Sequence, residues 1–130
     1  MKQIDIKTTQ KVQIIDITGK VAVYREIKDG CIVIFVPHTT AALIVNEHEP
    51  NLEDDMMHFY TTLAKGDWHH NRVDNNAEAH LVSTTLHSSI VVPIKDGELT
   101  LGTWQSILFI ELDGPKERKV YVKELTKNVS

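Results

Sequence analysis

The sequence predicts an α+β fold: a mainly antiparallel β-sandwich with about three helices. Three observations lead there. Apolar segments with a period of two, or short β-branched runs, recur along the whole chain, as at Ile4/Ile6, Val12/Ile14, Cys31–Val36, Ile90–Ile94 and Val120–Val122. Helical spacing occurs only early and mid-chain and does not alternate strictly with strands, which argues against a doubly wound parallel sheet. Turn sequences (Asp29-Gly30, Asp96-Gly97, Asp113-Gly114-Pro115) punctuate the elements.

Taken in order, Ile4 and Ile6, then Val12 and Ile14, form one or two opening strands. Asp16 or Thr18 can cap a short helix, on which Val21, Tyr24 and Ile27 follow at helical spacing until Asp29-Gly30 stops it. Cys31–Val36 reads as a buried strand bounded by Gly30 and Pro37, and Thr39–Asn46 as a second one. Pro50 suits a helix start, where its missing N–H is harmless. Leu52, Met56, Phe59 and Leu63 then make one apolar stripe ending near Gly66. Asp67–Asn76 is polar and loop-like. Asn75 or Asn76 can cap a third helix through about His87. Ile90–Ile94 and Asp96-Gly97 signal a strand and hairpin turn. Leu99 and Leu101, then Trp104–Leu112, then Val120–Val122 complete the β part.

The 130 residues are the size of one domain, 1–130. With 42% hydrophobic and 25% charged residues the chain can bury a core, which argues against disorder. A net charge of −4 disfavours a general nucleic-acid binder. The single cysteine, Cys31, permits neither an intrachain disulfide nor a cysteine metal cage, and inside a buried strand it is a small hydrophobe rather than a nucleophile. The first ten residues hold no signal-peptide core, and the longest apolar run, Cys31–Pro37, is too short to span a membrane. A cytoplasmic protein with no membrane partner is expected.

Histidine is the unusual component, at seven residues against six glycines. Three polar segments lie beside the predicted strands. In Pro37–Glu47, an extended chain puts His38, Thr40 and Asn46 on one face and Glu47 on the other. His38 follows a rigid strand, a common place for a site residue. In the second segment, Trp68-His69-His70-Asn71 precedes His80, and a third helix would align His80, Thr84 and His87. His38, His70 and His80 offer three imidazoles for a metal, although their spacing is not diagnostic. In the third, Gly102 suggests a bulge beside Trp104 and Gln105, an apolar plate and a donor–acceptor pair, and Arg118 could clamp an anion. Taken alone, each of these residues reads first as packing or solvated surface. No Gly-rich phosphate loop or dinucleotide fingerprint is present, and Ser88 and Ser89 lack a nucleophile elbow.

Three strings, His-Thr-Thr-Ala-Ala-Leu…Asn-Glu, His-Asn followed by Asn-Ala-x-Ala-His-Leu, and Leu-Gly-Thr-Trp-Gln…Glu-x-Asp-Gly-Pro, together resemble the YjbQ-like family. These are small bacterial and archaeal proteins often labelled secondary thiamine-phosphate synthase. The resemblance runs from about Val12 to Val122. It implies a compact α+β sandwich, a homotrimer, and polar motifs meeting near a subunit interface. His38, His70 and His80 stand at the family's recurrent histidines, and Thr39, Thr40, Asn46, Glu47, Trp104, Gln105 and Arg118 at its other motif positions. Lys116 departs from an arginine often found after Asp-Gly-Pro, which keeps the charge and loses the fork. His87-Ser88-Ser89 departs from a stretch that often holds glycine, so His87 is set aside as a site member.

The resemblance implies joining a pyrimidine pyrophosphate to a thiazole phosphate with loss of pyrophosphate. On that reading Thr39, Thr40, Trp104, Lys116 and Arg118 bind the phosphorylated substrate. Glu47 is the acid/base candidate, with Asn46 and Gln105 beside it. His38, His70 and His80 would hold a divalent metal, zinc before magnesium because imidazole suits zinc and magnesium prefers oxygen. Two alternatives stand beside it: a metal-dependent hydrolase, and a non-catalytic trimer that binds a metabolite or anion. A purely structural role for the histidines ranks below all three.

Overall fold

A computed structural model describes residues 1–127. It is built from two antiparallel sheets. Five strands form the larger: β1 (Lys2–Lys7), β8 (Glu117–Leu125), β3 (Gly30–Phe35), β5 (Ser89–Lys95) and β6 (Glu98–Leu99), in that spatial order. The smaller has β7 (Ser106–Glu111) between β2 (Gln13–Asp16) and β4 (Ala41–Asn46). Three α-helices, α1 (Thr18–Ala22), α2 (Pro50–Thr62) and α3 (Ala77–Thr84), and a 3-10 turn at His69–Arg72 complete the chain.

The two sheets pack face to face on Ile4, Ile6, Ile32, Ile34, Val92, Ile94, Val120 and Val122 from the larger, and Leu43, Ile107 and Phe109 from the smaller. The other face of the small sheet lies under α2 and α3: Ile14, Ile44, Leu108 and Ile110 meet Tyr60, Ala79 and Val82. Its central strand is therefore buried on both faces, which is why Ile107–Glu111 is apolar nearly throughout instead of alternating. Among the described residues only one face of the larger sheet is covered, and its strands alternate.

The predicted class holds, with local corrections. Cys31–Val36 is buried on one face only: Ile32, Ile34 and Val36 point inward, whereas Cys31 is half-buried and Phe35 exposed. Helix α1 stops at Ala22, short of Tyr24 and Ile27, because the Glu124 carboxylate takes the N–H groups of Glu26 and Ile27 and holds the chain out of the helix. At its start the Asp16 carboxylate accepts from the Thr18 N–H. Helix α2 begins at Pro50 as expected, with Glu49 accepting from the N–H groups of Asn51 and Leu52. Its buried face is rotated from the predicted stripe: Met56, Tyr60 and Ala64 pack inward, while Phe59 and Leu63 are exposed.

Helix α3 ends at Thr84 rather than near His87. The Thr84 and Thr85 hydroxyls bond back to the carbonyls of Leu81 and Val82, and His87 leaves to pair with Leu43 of β4. The Asp96-Gly97 hairpin forms as predicted, both residues having positive φ (52° and 76°), but β6 is only two residues long. The strand expected from Trp104 begins at Ser106, because Gly102–Gln105 closes a turn in which the Gln105 side chain accepts from the Gly102 N–H at 2.8 Å.

Candidate active site

One cleft, of about 710 Å³, brings together residues from the three polar segments. It is lined by His38, Thr39 and Thr40 after β3, by His70, Asp74, Asn76 and His80 around the start of α3, and by Lys116 and Arg118 at the start of β8. Such a volume accommodates a small metabolite.

His38 is positioned by strand pairing that stops. The last β3–β8 pair is Phe35 with Tyr121, and Pro37 turns β3 away. Two residues further along β8 the Lys119 N–H would lack a partner, and it donates instead to His38 Nε2 at 2.9 Å. Nε2 is therefore the unprotonated nitrogen, and neutral His38 carries its hydrogen on Nδ1. Burial, and then the neighbouring Arg118 guanidinium, lower the His38 pKa from its ordinary 6.5; Glu111 acts the other way. Between the lowered value and 6.5 the unfolded chain binds more protons than the folded one. The stability His38 contributes is present above about pH 6.5 and lost as pH falls through its folded-state value. His38→Gln is expected to flatten this part of the Tm-against-pH curve, measured by thermal unfolding on the acid side of neutrality. An unchanged slope would rule the effect out.

Arg118 lies at the bottom of the cleft, 6% exposed. Its Nε donates to Glu111 Oε1 at 2.8 Å and its Nη2 to Glu111 Oε2 and, at 2.9 Å, to Thr40 Oγ1. Glu111, fully buried, also accepts from the Thr8 hydroxyl at 2.7 Å and from the Leu112 and Asp113 N–H groups. Burial works to raise the Glu111 pKa, but the hydrogen bonds from Arg118, Thr8 and Asp113 outweigh it and hold the pKa below its ordinary value. Arg118, expected as an anion clamp, thus spends two of its nitrogens on a buried carboxylate and ties the two sheets together. Lys116 is the exposed cation of the cleft; its Nζ donates to Asp113 at 2.8 Å.

His70 sits on the 3-10 turn, which is held at one end by the Asn71 side chain accepting from the Ala77 N–H. Its Nε2 lies 2.9 Å from Asn76 Oδ1, and its ring meets that of His80 edge-on, centroids 4.6 Å apart. Among the described residues no three His, Cys, Asp or Glu side chains gather closely enough to hold a metal ion. The expected His38–His70–His80 set lines one cleft, but a single chain presents it as a His70–His80 pair with His38 apart.

The other expected site residues lie elsewhere. Asn46 and Glu47 are at the far end of β4, about 17 Å from Ala41 at ~3.3 Å per residue. Asn46 pairs there with Ser106, beside Trp104 and Gln105. Asn46 Oδ1 accepts from the Glu47 N–H, Gln105 closes its own turn, and Trp104 is 73% exposed. Within one chain Glu47, Asn46, Gln105 and Trp104 do not reach the histidine cleft. Sequence reasoning missed Asn76 and Asp113, whose side chains link His70 to Lys116. The sequence suggests Asn76 as a helix cap, yet its side chain makes no capping bond and the helix-start N–H of Ala77 goes to Asn71.

The two-sheet α+β sandwich is a fold shared with solved proteins of clear sequence similarity. The chain belongs to the YjbQ-like UPF0047 family, whose pattern matches residues 2–127. It is 48% identical over 126 residues to a UPF0047 protein of Archaeoglobus fulgidus, covering 95% of this chain and 99% of that one. It is 37% identical over 130 residues to the UPF0047 protein YugU of Bacillus subtilis, covering 95% and 97%. Its fold matches the crystal structure of a hypothetical protein from Aeropyrum pernix K1 with a TM-score of 0.94 at 46% identity, over 97% of this chain and 98% of that one. No helix among the described residues is long and apolar enough to cross a membrane.

Proposed function

We propose that this protein is a cytoplasmic enzyme that acts on a small phosphorylated metabolite in the histidine cleft, with thiamine-phosphate formation as the reaction its family resemblance implies. The observation that carries the reading is the convergence of His38, His70, His80 and Lys116 from distant parts of the chain onto one open cleft. Departure of pyrophosphate requires its growing charge to be met by fixed donors. Lys116 supplies a cation and His38 Nδ1–H a neutral donor. No step is assigned to a metal, because among the described residues of one chain three donors do not meet.

The apolar plate for a pyrimidine, Trp104, stands with Asn46, Glu47 and Gln105 at the opposite end of the small sheet. Joining the two groups takes a second copy, in keeping with the homotrimer that the resemblance implies. The uncovered face of the larger sheet suits such contact: Phe35, Val91 and Leu125 are 42%, 60% and 45% exposed, and Phe35 also borders the cleft.

Inorganic pyrophosphate is the probe that tests the reading. Lys116→Ala is expected to weaken its binding about 10- to 150-fold in calorimetric titration, the range for a charged hydrogen bond of about 1.5–3 kcal/mol. Equal affinity in wild type and variant would remove Lys116 from the site. Product formation from a pyrimidine pyrophosphate and a thiazole phosphate tests the reaction itself. Pyrophosphate binding without turnover would leave a non-catalytic anion-binding protein.

A metal-assisted hydrolase is the second reading, favoured by the His70–His80 contact. Those two imidazoles would hold zinc, with magnesium the lesser fit, and the remaining donors would come from a bound phosphate or a neighbouring copy. On this reading purified protein carries a divalent metal by elemental analysis and folded His80→Ala does not. Equal metal content in the two would exclude His80 as a ligand.

A further inference from the structure

We propose that Asn76 and Asp113 are positioning residues that fix the tautomer of His70, placing its hydrogen on Nε2 and leaving Nδ1 as a lone pair for the ligand. The inference rests on the reading of the cleft as a binding site for a phosphorylated metabolite, and it names the polarity that ligand must have.

The chain of hydrogen bonds has one solution. Asp113 receives Lys11 Nζ, Lys116 Nζ at 2.8 Å and Asn76 Nδ2 at 2.9 Å. Burial works to raise its pKa, but these donors outweigh burial and hold it well below the usual carboxylate range, so the group is ionised and only accepts. The amide nitrogen of Asn76 must therefore face Asp113, which turns its carbonyl oxygen toward His70. A carbonyl also only accepts, so the 2.9 Å contact requires the hydrogen on His70 Nε2. In a neutral imidazole the other nitrogen is then bare.

His38 is set the opposite way. The Lys119 backbone N–H fills its Nε2 lone pair, and its Nδ1 carries the hydrogen. One cleft thus holds two imidazoles of opposed polarity: an acceptor at His70 Nδ1 and a donor at His38 Nδ1. The matching ligand presents a hydroxyl or protonated phosphate oxygen to His70 and an anionic oxygen to His38 and Lys116. A ligand with only anionic oxygens would meet the His70 lone pair without a proton to share.

The test is NMR of protein carrying 15N-labelled histidine, with His70 and His38 assigned by His70→Gln and His38→Gln and read where both are neutral. Wild type is expected to show His70 with Nε2 in the N–H range and Nδ1 in the unprotonated range, and His38 the reverse. Asn76→Leu is the decisive variant: loss of the acceptor should abolish the protected Nε2–H resonance of His70. Should it not fold, Asp113→Ala serves: with no carboxylate to hold the Asn76 amide nitrogen, Asn76 is free to reverse, and His70 should divide between its two tautomers. His70 with its hydrogen on Nδ1 in wild type, or an unchanged His70 spectrum in either folded variant, overturns the proposal. A wild-type protein that shows the expected tautomers but does not bind pyrophosphate would refute the functional reading and leave the tautomer lock standing.

Discussion

Arg118→Met is expected to lower the unfolding free energy by about 3–5 kcal/mol, because it leaves the Glu111 carboxylate buried without its counter-charge. Glu111 is fully buried, and the remaining donors (the Thr8 hydroxyl and the N–H groups of Leu112 and Asp113) carry no positive charge. Urea denaturation checks the value. The double variant Arg118→Met, Glu111→Leu should recover most of the loss, since a buried pair replaced by apolar groups of similar volume is often neutral. Equal destabilisation by the single and double variants would show that the two charges are not coupled. Thr40 Oγ1 would lose its Arg118 partner in both, and this part of the cost should persist.

Phe109→Ala is expected to cost about 3–5 kcal/mol, and Phe59→Ala to stay within about 0.5 kcal/mol. Phe109 is fully buried at the middle of β7, with Ile15 and Leu43 opposite it on the flanking strands. Truncation there opens a cavity between two sheets that cannot collapse inward. Phe59 is 56% exposed on α2. Thermal or urea unfolding of the two variants side by side separates them. A large loss at Phe59 would mean that the helix presents the face its apolar spacing suggests, rather than the Met56–Tyr60–Ala64 line.

That contrast shows what the sequence could carry. Strands with alternating or continuous apolar residues were legible because the period of two has a single reading on a half-buried sheet. Helix α2 was legible as a helix, since Pro50 fixes its start, but its orientation was not. Phe59 and Leu63 are more apolar than Tyr60 and Ala64, yet the space under α2 is filled by the latter pair. The α3 terminus depended on Thr84 and Thr85 finding their own carbonyls and on His87 meeting Leu43, a contact 44 positions away in the chain. Both are tertiary outcomes.

The site was legible by residue type more than by grouping. His38, Thr40, His70, His80, Lys116 and Arg118 do line one cleft. The same motifs also held Asn46, Glu47, Trp104 and Gln105, and nothing in a linear string distinguishes the near end of β4 from the far end. Arg118 and Lys116 could not be sorted into buried brace and exposed cation either, because the partner that captures Arg118, Glu111, reads as one more residue of a strand.

The 3-10 turn that carries His70 contains no buried side chain, whereas His38 is anchored to a strand of the main core. Segments without buried contacts open at little free-energy cost, so His70 is the half of the imidazole pair with freedom to lose. Part of any ligand's affinity must go into quenching that freedom. Residues that stiffen 69–76 without meeting the ligand should therefore govern how tightly it is held.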